Sequence, residues 1–159
     1  MYRKRGGVVA ALTILAAATP VGAQSYRMLD AEPPARLAEF GAALAVGDDF
    51  VLIGEPNMRT GPGVVFIYRE VGDRWAEAGR IVASDGARGD DFGSALALEG
   101  DRLLVGATGA ADGLGAIYAF ERAGQSWREV GTLTAPGLAE DSDFGATVAL
   151  DGDVALVGA

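Results

Sequence analysis

Residues 90–107 read Asp90-Asp91-Phe92-Gly93-Ser94-Ala95-Leu96-Ala97-Leu98-Glu99-Gly100-Asp101-Arg102-Leu103-Leu104-Val105-Gly106-Ala107, a segment that opens on Phe-Gly and closes on Val-Gly-Ala. The frame recurs on both sides. Phe40-Gly41 leads to Ile53-Gly54-Glu55, and Phe144-Gly145 leads to Val157-Gly158-Ala159. The spacing is 52 residues each time, from 40 to 92 and from 92 to 144. A constant period of this length marks a repeat architecture, in which one unit cannot bury its apolar face alone and needs a stacked neighbour.

Each unit divides at turn residues. Ala42 to Val46 is a short apolar run, read as a strand covered on both faces. Gly47-Asp48-Asp49 turns the chain into Phe50 to Ile53, so the two strands form a hairpin. Val64 to Tyr68, rich in β-branched and aromatic residues, is the third strand. Gly72-Asp73 then leads to a fourth from Trp75 to Val82. The second unit aligns without a gap: Leu96, Asp101, Leu104, Gly106, Gly113, Gly115, Gly124, Trp127, Glu129 and Gly131 each have an identical partner 52 residues earlier. Upstream, Leu29 falls in register with Ile81 and Leu133, so Tyr26 to Leu29 reads as an outer strand donated to a blade begun elsewhere in the chain.

Four strands in about fifty residues is the pattern of a propeller blade. The fold class expected is all-β, a β-propeller of four-stranded antiparallel blades that is only partly present. Residues 24–39 supply one lone strand and a loop, 40–91 and 92–143 two full blades, and 144–159 half of a third. No helix-period stretch follows residue 23.

The first 23 residues have another character. Tyr2-Arg3-Lys4-Arg5 is a basic start, Gly6 to Thr19 is apolar, and Val21-Gly22-Ala23 puts small residues where a signal peptidase reads. A signal helix is expected, with cleavage between Ala23 and Gln24 and no stable membrane insertion afterwards. Its removal leaves 10 basic and 22 acidic residues, a net charge of −12. So acidic a chain disfavours nucleic acid and anionic membrane surfaces as partners. It has no Cys, so an exported form does without disulfides.

With Phe-Gly, Val-Gly-Ala and the intervening Gly-Asp turn in place, the chain resembles the FG-GAP repeat family, in its exported bacterial form and in the β-propeller of integrin α chains. The resemblance covers residues 27–159. It implies a seven-bladed propeller, a secreted, periplasmic or cell-surface location, and adhesion or ligand binding within a larger protein. Calcium-binding relatives carry an Asp-rich loop between the first two strands, where oxygen ligands surround a hard cation. Here that connection is Gly47-Asp48-Asp49, Glu99-Gly100-Asp101 or Asp151-Gly152-Asp153. These turns are too short to wrap an ion, so no calcium and no other cofactor is expected.

The residues that define the repeat are Phe40, Gly41, Gly54, Trp75, Phe92, Gly93, Gly106, Trp127, Phe144, Gly145 and Gly158, and a structural role is expected for all of them. Trp75 and Trp127 are expected between blades, a carbohydrate platform being the other use of such rings. The weak metal candidates are Asp85, Asp90 and Asp91, with Glu140, Asp141 and Asp143 in the corresponding loop. Asp side chains closing their own turns are the better account of such residues, since the positions vary between copies and only Asp91 and Asp143 recur. Arg88-Gly89-Asp90 spells an adhesive tripeptide, but its Gly and Asp belong to the loop pattern of the repeat. There is no His and no Cys, which removes the usual general base and thiol nucleophiles. Gly61-Pro62-Gly63 and Gly113-Leu114-Gly115 enter strands, whereas a phosphate cradle needs a helix behind it.

The function expected is a non-enzymatic extracytoplasmic scaffold for a protein or glycan. A non-catalytic part of a larger secreted hydrolase or lyase is the alternative. A Kelch-like propeller is a third reading: Tyr68/Trp75 and Phe120/Trp127 have that family's aromatic-to-Trp spacing, without its Gly-Gly pair.

Overall fold

The structure, a computed structural model, describes residues 10–12, 27–29, 39–56, 61–139 and 142–159. The chain divides into two compact units, Met1–Leu37 and Ala38–Ala159. In the first, strand β1 (Ala10–Leu12) pairs antiparallel with β2 (Arg27–Leu29). The apolar run read as a signal helix is therefore a strand at its three described residues. Backbone N–H and C=O groups in water are satisfied by a neighbouring strand as well as by a helical turn; only in lipid must a lone segment satisfy them internally. For β2 the partner is β1 and not the outer edge of a blade. Ala23 and Gln24, the expected cleavage site, lie outside the described residues.

Among its described residues the second unit holds two four-stranded sheets and one two-stranded sheet, all antiparallel. The first blade is β3 (Ala43–Val46), β4 (Phe50–Glu55), β5 (Val64–Val71) and β6 (Arg74–Ile81), paired in chain order. The second is β7 (Phe92–Glu99), β8 (Arg102–Ala107), β9 (Ala116–Ala123) and β10 (Ser126–Leu133). The third sheet is β11 (Thr147–Asp151) and β12 (Val154–Gly158). The all-β reading stands.

Turn chemistry explains the hairpins. Gly72, Gly100, Gly124 and Gly152 each occupy the first of two turn positions with φ between 55° and 67°. That is the geometry of a primed hairpin turn, which matches strand twist and which a Cβ opposes. The outer pair of each blade carries the same irregularity: the register slips between Ile67 and Tyr68 opposite β6, and between Glu129 and Gly131 on β10. Ala78 and Val130, 52 residues apart, are the extra residues, and such bulges strengthen the local twist. One turn of helix, α1 (Ala110–Gly113), departs from the expectation of none. Ala111 and Asp112 have φ of 54° and 59° inside it, so it is a left-handed loop closure rather than a helix-period segment.

The core lies between the first two blades. Phe50, Leu52, Val65, Ile67 and Ile81 of one meet Phe92, Leu103, Val105, Tyr118 and Phe120 of the other. Coverage on both faces, expected for every first strand, holds only in the middle blade. β7 packs against β3 and β4 on one side and β11 on the other, and its Phe92, Ala95 and Ala97 are buried. In β3, Leu44 and Val46 are 43% and 58% exposed, although the two strands have nearly the same sequence. Position in the stack, not composition, decides burial here.

Candidate functional site

The Phe-Gly pair forms the joint between successive blades. Within its own blade, Phe92 lies edge-on to Tyr118 and Phe120 at centroid distances of 5.5 and 5.9 Å, and Phe40 meets Phe66 and Tyr68 at 5.4 and 6.3 Å. Edge-to-face packing is the favoured geometry for aromatic pairs. The backbone of the same dipeptide reaches into the preceding blade. Phe92 N–H donates to Pro62 O at 2.8 Å, and Phe92 bridges Gly63 as Phe144 bridges Gly115.

Two glycines per unit make this approach possible. A Cβ built on Gly54 would lie 2.1 Å from Gly93 O, and one on Gly106 would lie 2.1 Å from Gly145 O. On Gly63 and Gly115 it would lie 2.1 Å from Phe92 O and Phe144 O. So the Gly of Val-Gly-Ala and the Gly before the third strand are the seats for the next Phe-Gly. Gly41, Gly93 and Gly145 have φ of 91°, 98° and 97°, a left-handed backbone that L side chains rarely adopt.

The loops before Phe-Gly carry the acidic residues, and the structure separates them. Asp85 accepts from Tyr118 Oη at 2.9 Å. Asp90 accepts from Ala87 N–H at 2.6 Å, closing its own turn. That bond ties the Asp90 carboxylate of Arg88-Gly89-Asp90 back to its own loop. Asp91 turns inward and is 7% exposed, with Oδ1 lacking a hydrogen-bond partner. Burial pushes its carboxyl above the ordinary range, and the negative charges of Glu39, Asp90 and Asp143 add to this. Glu39, Asp91 and Asp143 occupy equivalent positions before the three Phe residues, each with positive φ. Glu140 and Asp141 lie outside the described residues. Among those residues no group of three or more His, Cys, Asp or Glu side chains is arranged to hold a metal ion.

Other polar groups span the blades in ways the sequence did not signal. Glu129 takes two hydrogen bonds from Ser84, from N–H and Oγ, both at 2.9 Å. Asp49 pairs with Arg69 of its own blade and with Arg122 of the next, the latter at 3.1 Å. Both guanidinium groups lie over the Phe50 ring, at 5.4 and 4.7 Å. Trp127 meets the same ring edge-on at 5.8 Å, so it packs between blades, while Trp75 is half-buried. Glu99 accepts from Gly152 N–H across the second joint. Recurrence of Asp49 at Asp101 and of Glu77 at Glu129 was the available signal, though it named no partner. Glu55 is also buried, and burial raises its carboxyl while Arg80 partly offsets that.

The FG-GAP repeat model matches residues 75–120 and 127–159. The chain belongs to the FG-GAP repeat family. The two matches begin at Trp75 and Trp127, one period apart, so the FG-GAP unit is phased from an outer strand across the joint into the next Phe-Gly hairpin. A search of curated proteins returns no match. In this FG-GAP chain no helix among the described residues is long and apolar enough to cross a membrane.

Proposed function

We propose that this protein is an exported FG-GAP scaffold that binds a protein or glycan outside the cytoplasm, with adhesion as its use, and that it is not an enzyme. The observation that carries the reading is the in-register FG-GAP repeat, which builds blades whose recurring residues are consumed in joints. The ligand is then met by residues that differ between units, in the loops at 83–91, 108–115 and 135–143. Such loops on a rigid scaffold are where binding residues concentrate. The basic, apolar and small-residue order of the first 23 residues supports export, and the surplus of carboxylates supports solubility there. Absence of His and Cys, with Asp85 and Asp90 engaged in the fold, supports a non-catalytic role.

The test is a binding screen of the purified chain on glycan and extracellular-protein arrays, with fractionation of the producing cells. Saturable binding that substitutions in the 83–91 loop abolish supports the scaffold. A chain that stays in the cytoplasm, or that binds nothing on a broad panel while folded, sinks it.

A further inference from the structure

The 83–91 loop is clamped between the first two blades by main-chain bonds to both. Gly89 N–H donates to Gly61 O at 3.2 Å and Phe92 N–H to Pro62 O at 2.8 Å, which ties the loop back to the first blade. Gly109 N–H of the second blade donates to Asp90 O at 3.1 Å. A Cβ built on Gly109 would lie 1.9 Å from Gly89 O, so the fit is close on that side too. Asp91 sits between the residues that make these bonds. Its backbone is left-handed, with φ of 57°, and its carbonyl accepts from Ser94 N–H at 3.1 Å.

The surroundings of the Asp91 side chain suit a neutral group and not a charge. It is 7% exposed, and Oδ1 has no hydrogen-bond partner. Ser94 brings a hydroxyl three residues on, but its Oγ is also buried without a partner and so does not donate to the carboxyl. The charged groups that act on Asp91 are all acids: Glu39 ahead of β3, Asp90 beside it and Asp143 ahead of β11. Arg88, the base of the same loop, is exposed and pairs with none of these four. Gly61, Pro62 and Gly63, which receive the clamp, carry no charge. A buried carboxylate needs donors or a counter-charge, and here it has neither close at hand. Ionisation therefore favours any conformation that brings water to residue 91, and the bonds in the way are those of the clamp.

We propose that Asp91 is an acid-closed latch on the 83–91 loop: the neutral carboxyl lets the clamp close, and loss of its proton to solvent opens it. The sign follows from burial. The closed loop holds the carboxyl above its ordinary range, so closure is complete in acid and weakens as pH rises through the value for the closed loop. One consequence rests on the scaffold reading given above. If the 83–91 loop meets the ligand, the latch regulates that site, because a loop already ordered in acid binds without the entropy cost that an open loop carries.

The test is residue-resolved amide exchange on the full chain without ligand, so that its failure is separate from failure of the scaffold reading. Protection is corrected for the intrinsic pH dependence of exchange. Between pH 4 and pH 7 the protection of the Gly89, Phe92 and Gly109 amides should fall by roughly fivefold or more. The Gly47 amide, which donates to Phe50 O at the far end of β3, is the control and should not change. Asp91→Asn keeps the shape and tolerates the left-handed backbone, and should abolish the fall. Glu39→Gln, at an exposed position, removes one of the facing charges and should shrink the fall without disturbing the joint. It also keeps the test decisive if Asp91→Asn does not fold. Protection of the three amides that is flat in the wild type overturns the latch. So does a fall that persists in Asp91→Asn, that is unaltered in Glu39→Gln, or that Gly47 shares, since a shared fall is loss of global stability.

Discussion

Gly106→Ala tests the reading of the joint most directly. The added methyl would lie 2.1 Å from Gly145 O and 3.1 Å from the carbonyl carbon behind it. An ordinary carbon-to-carbonyl-oxygen contact is about 3.3 Å, so the third unit must retreat by roughly 1 Å at this point. Backbone, not a flexible side chain, is the obstacle, and no rotamer change relieves it. Over-packing of this kind costs about 1–3 kcal/mol, and a backbone clash belongs at the upper end. Alanine in a strand recovers about 0.5–1 kcal/mol relative to glycine, which leaves a net loss of about 2 kcal/mol. For a unit of this size that is a fall of roughly 8 °C in Tm. Gly131→Ala is the control, because nothing lies within 4 Å of its Cβ position and its φ is not positive. There only the backbone gain remains, and stability should rise by about 0.5 kcal/mol. Urea titration of both variants with a common m-value gives the difference. If Gly106→Ala unfolds within about 0.5 kcal/mol of Gly131→Ala, the close approach of the two glycines does not hold the blades together.

Three further outcomes follow from the same structure. Tyr118→Phe removes the hydroxyl that Asp85 accepts and should cost about 1–2 kcal/mol at neutral pH. Burial and then the Asp85 hydrogen bond push the Tyr118 phenol upward, so its contribution is complete below the unfolded value of about 10 and is lost as pH rises beyond it; stability above pH 10 should fall less steeply in the variant. For Asp91 the folded carboxyl is raised, so its contribution is present at acid pH and lost as pH rises through the folded value. Wild type should therefore gain on Asp91→Asn as pH falls from 7 to 4, and a flat difference across that range would contradict the assigned cause. Calcium at millimolar concentration or a chelator should leave Tm unchanged, since the hairpin turns offer too few oxygens; a rise of several degrees with calcium would place a site in the loops instead.

Strand positions were legible because the turns are written in glycine and aspartate at fixed phase. Gly72-Asp73 falls between the end of β5 at Val71 and the start of β6 at Arg74. Gly100-Asp101 does the same for β7 and β8. The role of Gly54 and Gly106 was not legible, since a lone glycine in a strand signals close approach without naming the partner. Pairs such as Ser84 with Glu129 and Asp49 with Arg122 join residues 45 and 73 apart. Neither separation is the repeat period, because each pair joins a turn of one blade to a non-equivalent strand of the next. Burial of Asp91 was hidden for a related reason. Its neighbour Asp90 has the same side chain, and only the left-handed backbone at 91 turns one inward while the other closes a surface turn.

That separation bears on where selectivity resides. A residue that recurs in every FG-GAP unit must suit a contact that every unit makes, and the contact common to all units is with the next blade. Phe92 and Phe144 are buried, and Gly54, Gly63, Gly106 and Gly115 have no room for a side chain. None of them is free to choose a ligand. The loop ahead of Phe-Gly obeys the opposite rule. Its one recurring acid, at 91 and 143, sits at the left-handed turn, while Ser84, Asp85 and Arg88 become Pro136, Gly137 and Glu140 one repeat later. Ser84 and Asp85 bond Glu129 and Tyr118 of the next blade, so variation there changes polar contacts across the joint while the glycine seats for Phe-Gly stay the same. The recurring residues serve the joints between blades, so on the proposed scaffold role a ligand would be met at the positions the motif leaves open.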